Sequence, residues 1–516
     1  MYEKEITQIA NYILANHPLF YIQHQDYVAI KEILVDGLKK KLVSGIRYFE
    51  FTNALGGRGL QDPYICEDVD LYTFLRNRYE DGESIPQILI LKDISNYYNN
   101  SEAVSFIKTI AEKSSEKGDF TTIIFIVDST TNPYPKELEN LLTFIDIKPL
   151  SDQDIEMVIK EFIEKTDDIK CAFIDNPDSL KQFAYSFKGL QKYQIEQILN
   201  TTKAQRNGEI TTRDTDIVLA EKKQLIKKSG ILEIIDRPGS INEIGGLENL
   251  IDWLKRKAEI FKDIVTAESF GVSIPKGILI AGMPGCGKSL TAKATASLFE
   301  VPLVRLDIGS LLGKYVGESE GNMKKALSLS EAFSPCVLWI DELEKAFAGI
   351  KNEGDGNEIV TRLFGQFLTW MQEKKSSVFI VATANNIASL PPEFLRKGRF
   401  DELFMIDLPN ENEIKEILQL KLQAKKKTFS SIDLEIIARK AASKGCNGGD
   451  IETIVNDAIE NKFMKWKKDS NESKELSTEE ILNVLNESKS IKETLGKKLD
   501  DLKSEMDKYH LKPASK

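Results

Sequence analysis

The sequence predicts an α/β protein built on parallel sheets, and three observations point there. The apolar run Gly277 to Ile280 enters a glycine-rich turn and then an Ala-rich helix-forming stretch, the strand, loop and helix order of a parallel α/β unit. Two later apolar runs, Val337 to Ile340 and VFIVATANN (378–386), end in acids or amides, as strands do where their C-terminal ends form a ligand edge. The same succession of runs recurs in the first half of the chain.

Taken in order, Leu19-Phe20-Tyr21-Ile22 reads as a buried strand followed by the helix-like YVAIKEILVDGLKKKL, with no glycine between His17 and Asp36. ILILKD (88–93) and TTIIFIVDST (121–130) are short continuous apolar runs, hence buried strands. YPKELENLLTFIDIKPLSDQDIEMVIKEF (134–162) turns into helical spacing, and KGLQKYQIEQI (188–198) continues it. Residues 201–230 are polar and charge-rich with one apolar patch, a connector with some helix. Beyond the second-half strands, KWKKDSNESKELST is a solvated loop, and 477–512 carries a helix-start signal with apolar residues at helical spacing.

The chemistry is concentrated after Ile280. From Gly282 the chain reads G-M-P-G-C-G-K-S, the full G-x-x-x-x-G-K-[ST] pattern of a P-loop, in the strand-to-helix context that such a loop needs. Its backbone N–H groups, from Gly282, Pro284, Gly285, Cys286 and Gly287 through Lys288, Ser289 and Leu290, form the predicted nucleotide cradle, proline contributing only its fixed turn. Lys288 reaches the β- and γ-phosphates, the Ser289 hydroxyl ligates Mg²⁺, and the helix N-terminus adds its dipole. Asp341, at the end of a buried strand, is expected to hold Mg²⁺ through water, and Glu342 to polarise the attacking water from just beyond the metal.

Downstream, Asn385 is followed sixteen residues later by Asp401 in LPPEFLRKGRFD, with Arg396 and Arg399 between them. This arrangement resembles the AAA ATPase family. The resemblance implies that Asn385 positions the lytic water and that both arginines serve the γ-phosphate of a neighbouring subunit. Arginine suits that task because its permanently charged fork can neutralise a spreading charge. The family usually has Thr directly before this Asn, whereas here the order is Thr383-Ala384-Asn385-Asn386, so Asn386 is an alternative. INEIGGLENLIDWLK (241–255) is similar to the family's opening segment, whose Ile244-Gly245 backbone flanks the adenine. SKGCNGGDIETI (443–454) is similar to its helical-lid motif, with Gly449 where Ala is usual and no sensor arginine. LLGKYVGESEGNMKKAL (311–327) matches the pore-loop segment, in which Tyr315 would project into a ring's channel and grip extended polypeptide. These motifs cover about 230 residues, Ile241 to Lys468, and their details look most like the hypothetical chloroplast open reading frame 46 type of algal plastids and bacteria.

The resemblance extends to the first half in outline. Asp93 is expected over Asp341 and Ile94 where Glu342 should be, which would remove the water-activating acid. No arginine lies between Thr130 and Leu150, and 188–198 lies without a gap over 444–454. The expected organisation is therefore an α/β protein with a degenerate AAA-like α/β domain (1–150), its helical lid (151–205), a linker (206–238), an AAA ATPase parallel-sheet domain of the P-loop NTPase class (239–408), an α-helical lid (409–470) and a C-terminal helical tail (471–516).

Composition bounds the function. A chain of 516 residues exceeds one ordinary core, and a net charge of −11 argues against a constitutive nucleic-acid or membrane-surface binder. Five scattered cysteines and three histidines support neither a disulfide framework nor a zinc site. The N-terminal stretch lacks a basic-then-apolar signal, and no apolar run approaches the roughly 18 residues of a spanning helix. The expectation is a cytoplasmic (or, if plastid-encoded, stromal) enzyme that hydrolyses ATP with Mg²⁺. The resemblance implies a homo-oligomer, a hexameric ring, that remodels or unfolds an unidentified protein client. The alternative is a nucleotide-switched assembly factor that docks a client through its inert first domain without threading it.

Overall fold

The computed structural model describes the chain apart from residues 25, 43–44, 62–65, 82–84, 117–121, 130–133, 167–168, 172, 237–238, 312–317, 347–355, 397, 426–431, 470–472, 497–503, 505–507 and 510. The chain divides into two units, Met1–Glu221 and Lys222–Lys516.

The first unit is built on β1 (Leu19–Gln23), β2 (Arg47–Thr52), β3 (Gly56–Gly59), β4 (Cys66–Glu67), β5 (Gln87–Lys92), β6 (Thr122–Asp128) and β7 (Leu142–Ile145), in the order β4-β3-β2-β5-β6-β1-β7. The five strands from β2 to β7 in that order are mutually parallel, and β3 and β4 add antiparallel. Successive side chains leave opposite faces of a strand, so Phe20, Ile22, Ile88, Ile90 and Phe125 pack one face with Ile6, Ile9 and Ile13 of the helix Glu3–Leu14. Leu19, Tyr21, Leu89, Leu91, Ile124 and Ile126 pack the other with the helices Leu71–Asp81 and Ser101–Glu116. Burial on both faces is why these strands read as unbroken apolar runs. Three helices follow, Asp152–Lys165, Pro177–Ser186 and Lys192–Gln205.

The second unit repeats the plan with β8 (Leu232–Ile235), β9 (Gly277–Gly282), β10 (Leu303–Leu306), β11 (Cys336–Ile340), β12 (Val378–Ala384), β13 (Glu402–Ile406) and β14 (Lys512–Pro513), ordered β14-β13-β9-β12-β11-β10-β8. Counted by appearance, β2, β5, β6, β1 and β7 of the first unit and β10, β11, β12, β9 and β13 of the second both run second, third, fourth, first, fifth across the sheet. Helices Glu411–Ala424, Leu434–Lys444, Gly448–Lys468 and Thr478–Glu487 close a separate apolar cluster around Ile414, Leu418, Ile437, Val455 and Leu485.

Three expectations are corrected. First, strand register moves the first-unit acid by one place. Ile22 and Lys92 both pair with Val127, whereas Ile280 pairs with Thr383 and Ile340 with Ala382. Lys92 therefore stands where Asp341 does, and Asp93 where Glu342 does. Asp93 and Glu342 also share a left-handed backbone, φ 49° and 51°, and Ile94 matches the buried Leu343. Apolar runs of equal length allow a one-residue slip that only the pairing resolves. Second, 471–516 is not a plain helical tail: Thr478–Glu487 belongs to the lid core, and Lys512–Pro513 joins the sheet parallel to β13. Third, the connector 206–238 includes β8, antiparallel to β10.

Candidate active site

The strand β9 is buried along its whole length and delivers the chain to the loop before the helix Lys288–Phe299. Gly287 caps that helix at φ 89°, a left-handed conformation that leaves the helix N-terminus without a capping side chain. Gly285 has no room for a side chain: a Cβ there would come within 2.4 Å of the Asn447 amide of the lid. The Asn447 amide donates to Pro284 O at 2.7 Å, and Gly449 N donates to Gly285 O at 3.1 Å, so the lid helix Gly448–Lys468 is seated on the loop by its own N-terminus.

Lys288 is 7 % exposed, and its ammonium donates to Gly282 O (2.8 Å) and Met283 O (2.7 Å). Burial lowers its pKa, while the nearby Cys286 and the acids Glu344, Asp341 and Glu342 raise it. These two neutral carbonyls hold the charge at the loop, and a charged acceptor would bind it more strongly than they do. Burial also pushes the Cys286 thiol up to about 12, which makes it packing rather than chemistry.

At the end of β11, Thr383 organises both acids. Its hydroxyl donates to Asp341 Oδ1 (2.6 Å) and accepts from Glu342 N (3.0 Å). The Asn385 amide donates to Glu342 Oε1 at 3.1 Å, and Asn385 N donates to Glu344 Oε1 at 3.0 Å. Asn386 instead caps the turn at Ile387–Ser389 by accepting from Ala388 N. Lys345 pairs with Glu342 Oε2 at 2.7 Å from an exposed position.

Of these groups the loop from Pro284 through Leu290, Asp341, Glu342 and Asn385 border one cavity of about 500 Å³, with Ile244, Gly245 and lid residues also on its lining. Neither Arg396 nor Arg399 is on that lining. Arg396 is exposed; Arg399 donates to Glu393 O, and burial followed by repulsion from Arg396 lowers its pKa. Tyr315 lies outside the described residues. Ser289 and Asp341 bring oxygen donors of the kind Mg²⁺ takes to the same cavity. Sequence reasoning missed Thr383, Asn447, Glu413 and Ser515. The departure from Thr-Asn to Thr-Ala-Asn was a usable signal for Thr383, because strand alternation turns residues two apart to one side.

Comparison with known proteins agrees with this geometry. Residues 278–408 match the ATPase family associated with various cellular activities (AAA), 5–147 the SpoVK-like AAA ATPase N-terminal domain, and 153–229 the SpoVK-like AAA ATPase second domain. The AAA domain-containing protein ycf46 of Guillardia theta is 33% identical over 496 residues, covering 95% of this chain and 92% of that one. Its namesake in Pyropia yezoensis is 36% identical over 400 residues, 76% of each chain. A proteasome-activating nucleotidase of Thermococcus onnurineus is 35% identical over 231 residues, 44% of this chain and 57% of the relative. With the strand order, the loop and the paired acids all in place, the chain belongs to the AAA ATPase family.

Proposed function

We propose that the second unit binds and hydrolyses Mg²⁺-ATP and that hydrolysis drives remodelling or unfolding of a protein client by an oligomeric, hexameric ring. The observation that carries this reading is the Glu342–Asn385 contact beside Asp341 and Ser289 in a cavity whose lining leaves out both arginines. Lys288 and the loop N–H groups bind the phosphates, and Ser289 and Asp341 hold Mg²⁺, which supplies charge neutralisation at the phosphates. Glu342 takes the proton of a water held by Asn385, and Arg396 and Arg399 complete the site of a neighbouring copy. Remodelling is favoured by the likeness over 231 residues to a protein named as proteasome-activating. Among the described residues no helix is long and apolar enough to cross a membrane, which fits work in the cytoplasm or stroma.

The second reading, client docking through the first unit without threading, is favoured by one feature. The outer edge of β13 is covered by β14, whereas among the described residues β7, its counterpart, ends the first sheet with Phe144 about half exposed. Tyr315→Ala separates the two: under threading it abolishes client processing while hydrolysis persists, and under docking both persist, read by client unfolding alongside phosphate release.

A further inference from the structure

The segment Leu511–Lys516 ends against the nucleotide cavity. Ala514 N donates to Met405 O (2.9 Å), and Leu250 N donates to Ala514 O (3.1 Å). The Asn249 amide donates to Ser515 O at 2.6 Å, and Leu511 and Ala514 are buried in the core of the second unit. The segment is thus clamped between the edge of β13 and the first turn of the helix Glu248–Lys262. That clamp puts Ser515 on the cavity wall.

Position along the cavity follows from its lining. Pro284 through Leu290 form the phosphate end, while Ile244, Leu247, Ile406, Ile417 and Leu420 form an apolar slot suited to a base. Ser515 belongs to the slot, because its hydroxyl donates to Glu413 Oε1, and the same Glu413 oxygen accepts from Leu247 N (3.5 Å). Glu413 is 4 % exposed, and its other oxygen accepts from Asn410 N at 2.7 Å. A serine hydroxyl has one proton. Here it is committed to Glu413, which leaves lone pairs as what Ser515 offers to the slot.

We propose that Ser515 is a specificity-determining residue of the nucleotide site, presenting an acceptor that favours a purine with an exocyclic 6-amino donor over one with a 6-oxo group. A 6-oxo group brings lone pairs toward lone pairs, and its desolvated oxygen finds no donor at Ser515, whose proton stays on Glu413. The proposal rests on the nucleotide reading above.

The test compares full-length protein with Ser515→Ala and Ser515→Thr, titrated with Mg²⁺-ATP, Mg²⁺-ITP and Mg²⁺-tripolyphosphate, which lacks base and sugar. Wild type is expected to bind ATP at least about tenfold tighter than ITP. Ser515→Ala should reduce that ratio several-fold while leaving tripolyphosphate binding unchanged, and Ser515→Thr, which keeps the hydroxyl, should restore the ratio. An unchanged ratio in Ser515→Ala, or a parallel loss for tripolyphosphate, overturns the assignment and leaves Ser515 a packing residue. If wild type binds none of the three, the nucleotide reading itself fails and the proposal falls with it; if it binds tripolyphosphate and both nucleotides equally, only the role of Ser515 fails.

Discussion

The two units share a strand order and a way of seating the lid, yet they put opposite chemistry at the same place. In the second unit the helix after the first strand is capped by Gly287, and its N-terminus is open to a ligand. In the first, the route from Ile22 to the cap is three residues shorter than that from Ile280, and the cap is Asp26. One Asp26 oxygen accepts from Ala29 N (3.1 Å) and the other from Tyr193 N (3.2 Å). Tyr193 stands two residues after the lid-helix cap Gln191, as Gly449 stands two after Asn447, and each backbone N–H docks the lid on the first loop. The first unit thus supplies its own anion where the second leaves room for a phosphate. Its Lys92, in the place of Asp341, lies 4.1 Å from the centroid of the Tyr27 ring and brings a cation where Mg²⁺ would need an acid. Core and lid contact are common to both units, whereas a few residues at the loop and the neighbouring strand end set them apart.

The sharpest way to break this contrast is at the second unit's acids. Glu342→Gln should keep ATP binding and lose on the order of 10²-fold or more in hydrolysis, and Lys288→Ala should lose binding itself. Calorimetry and phosphate release distinguish the two; wild-type turnover in both would remove the site from Glu342 and Lys288. The arginines come next. Arg396→Ala and Glu342→Gln should each be inactive alone, yet mixed oligomers should recover part of the activity where an intact Glu342 faces an intact Arg396. Absence of rescue in oligomers shown to exchange subunits would count against action across a boundary.

Much of this contrast was legible in the sequence, and the exceptions have physical causes. The glycine-rich loop, Asp341 and Glu342 stand out because a glycine turn between a strand and a helix and paired acids at a strand end are local patterns, and the structure brings them to one cavity. The parallel strands could be read because burial on both faces makes them unbroken apolar runs. The register of the first copy could not, since the apolar run ILIL offers no internal marker against which to fix a slip of one residue, and Lys92 and Asp93 after it can each be set against Asp341. Nor could the placement of Ser515, which depends on β14 pairing with a strand more than a hundred residues earlier.

A smaller effect contrasts two buried lysines, one from each unit. Burial alone would lower Lys192 of the first, but its bond to Glu32 at 2.6 Å outweighs that and raises its pKa. Burial pushes Lys222 of the second down to about 7 from 10.5, with its Nζ donating to Ala332 O. Between those values the unfolded chain carries the proton at Lys222 and the folded chain does not, so stability falls as pH drops from 10.5 to about 7. Lys222→Met should therefore raise the melting temperature by roughly a few degrees at neutral pH and by almost nothing near pH 10.5. Lys192→Met should do the reverse, costing stability at neutral pH, because a raised pKa contributes below its unfolded value and is lost above the folded one. Melting curves across that range decide it, and a pH-independent gain for Lys222→Met would reject the burial account.

The smallest expected effect is none at all, and it tests what would keep a triphosphate out of the first unit. If the missing metal acid were the only barrier, Lys92→Asp would open a second site, because the acid Asp93 already stands where Glu342 does. The short loop argues otherwise: without the added residues the backbone cannot wrap a phosphate, and the Asp26 carboxylate repels one from the helix N-terminus it occupies. Wild type and Lys92→Asp should both bind one Mg²⁺-ATP per chain by calorimetry, and the fragment 1–221, the compact first unit, should bind none at millimolar nucleotide. A second equivalent in wild type would overturn the inert reading of the first unit. One that appears only in Lys92→Asp would move the cause from the loop to the charge at that strand end.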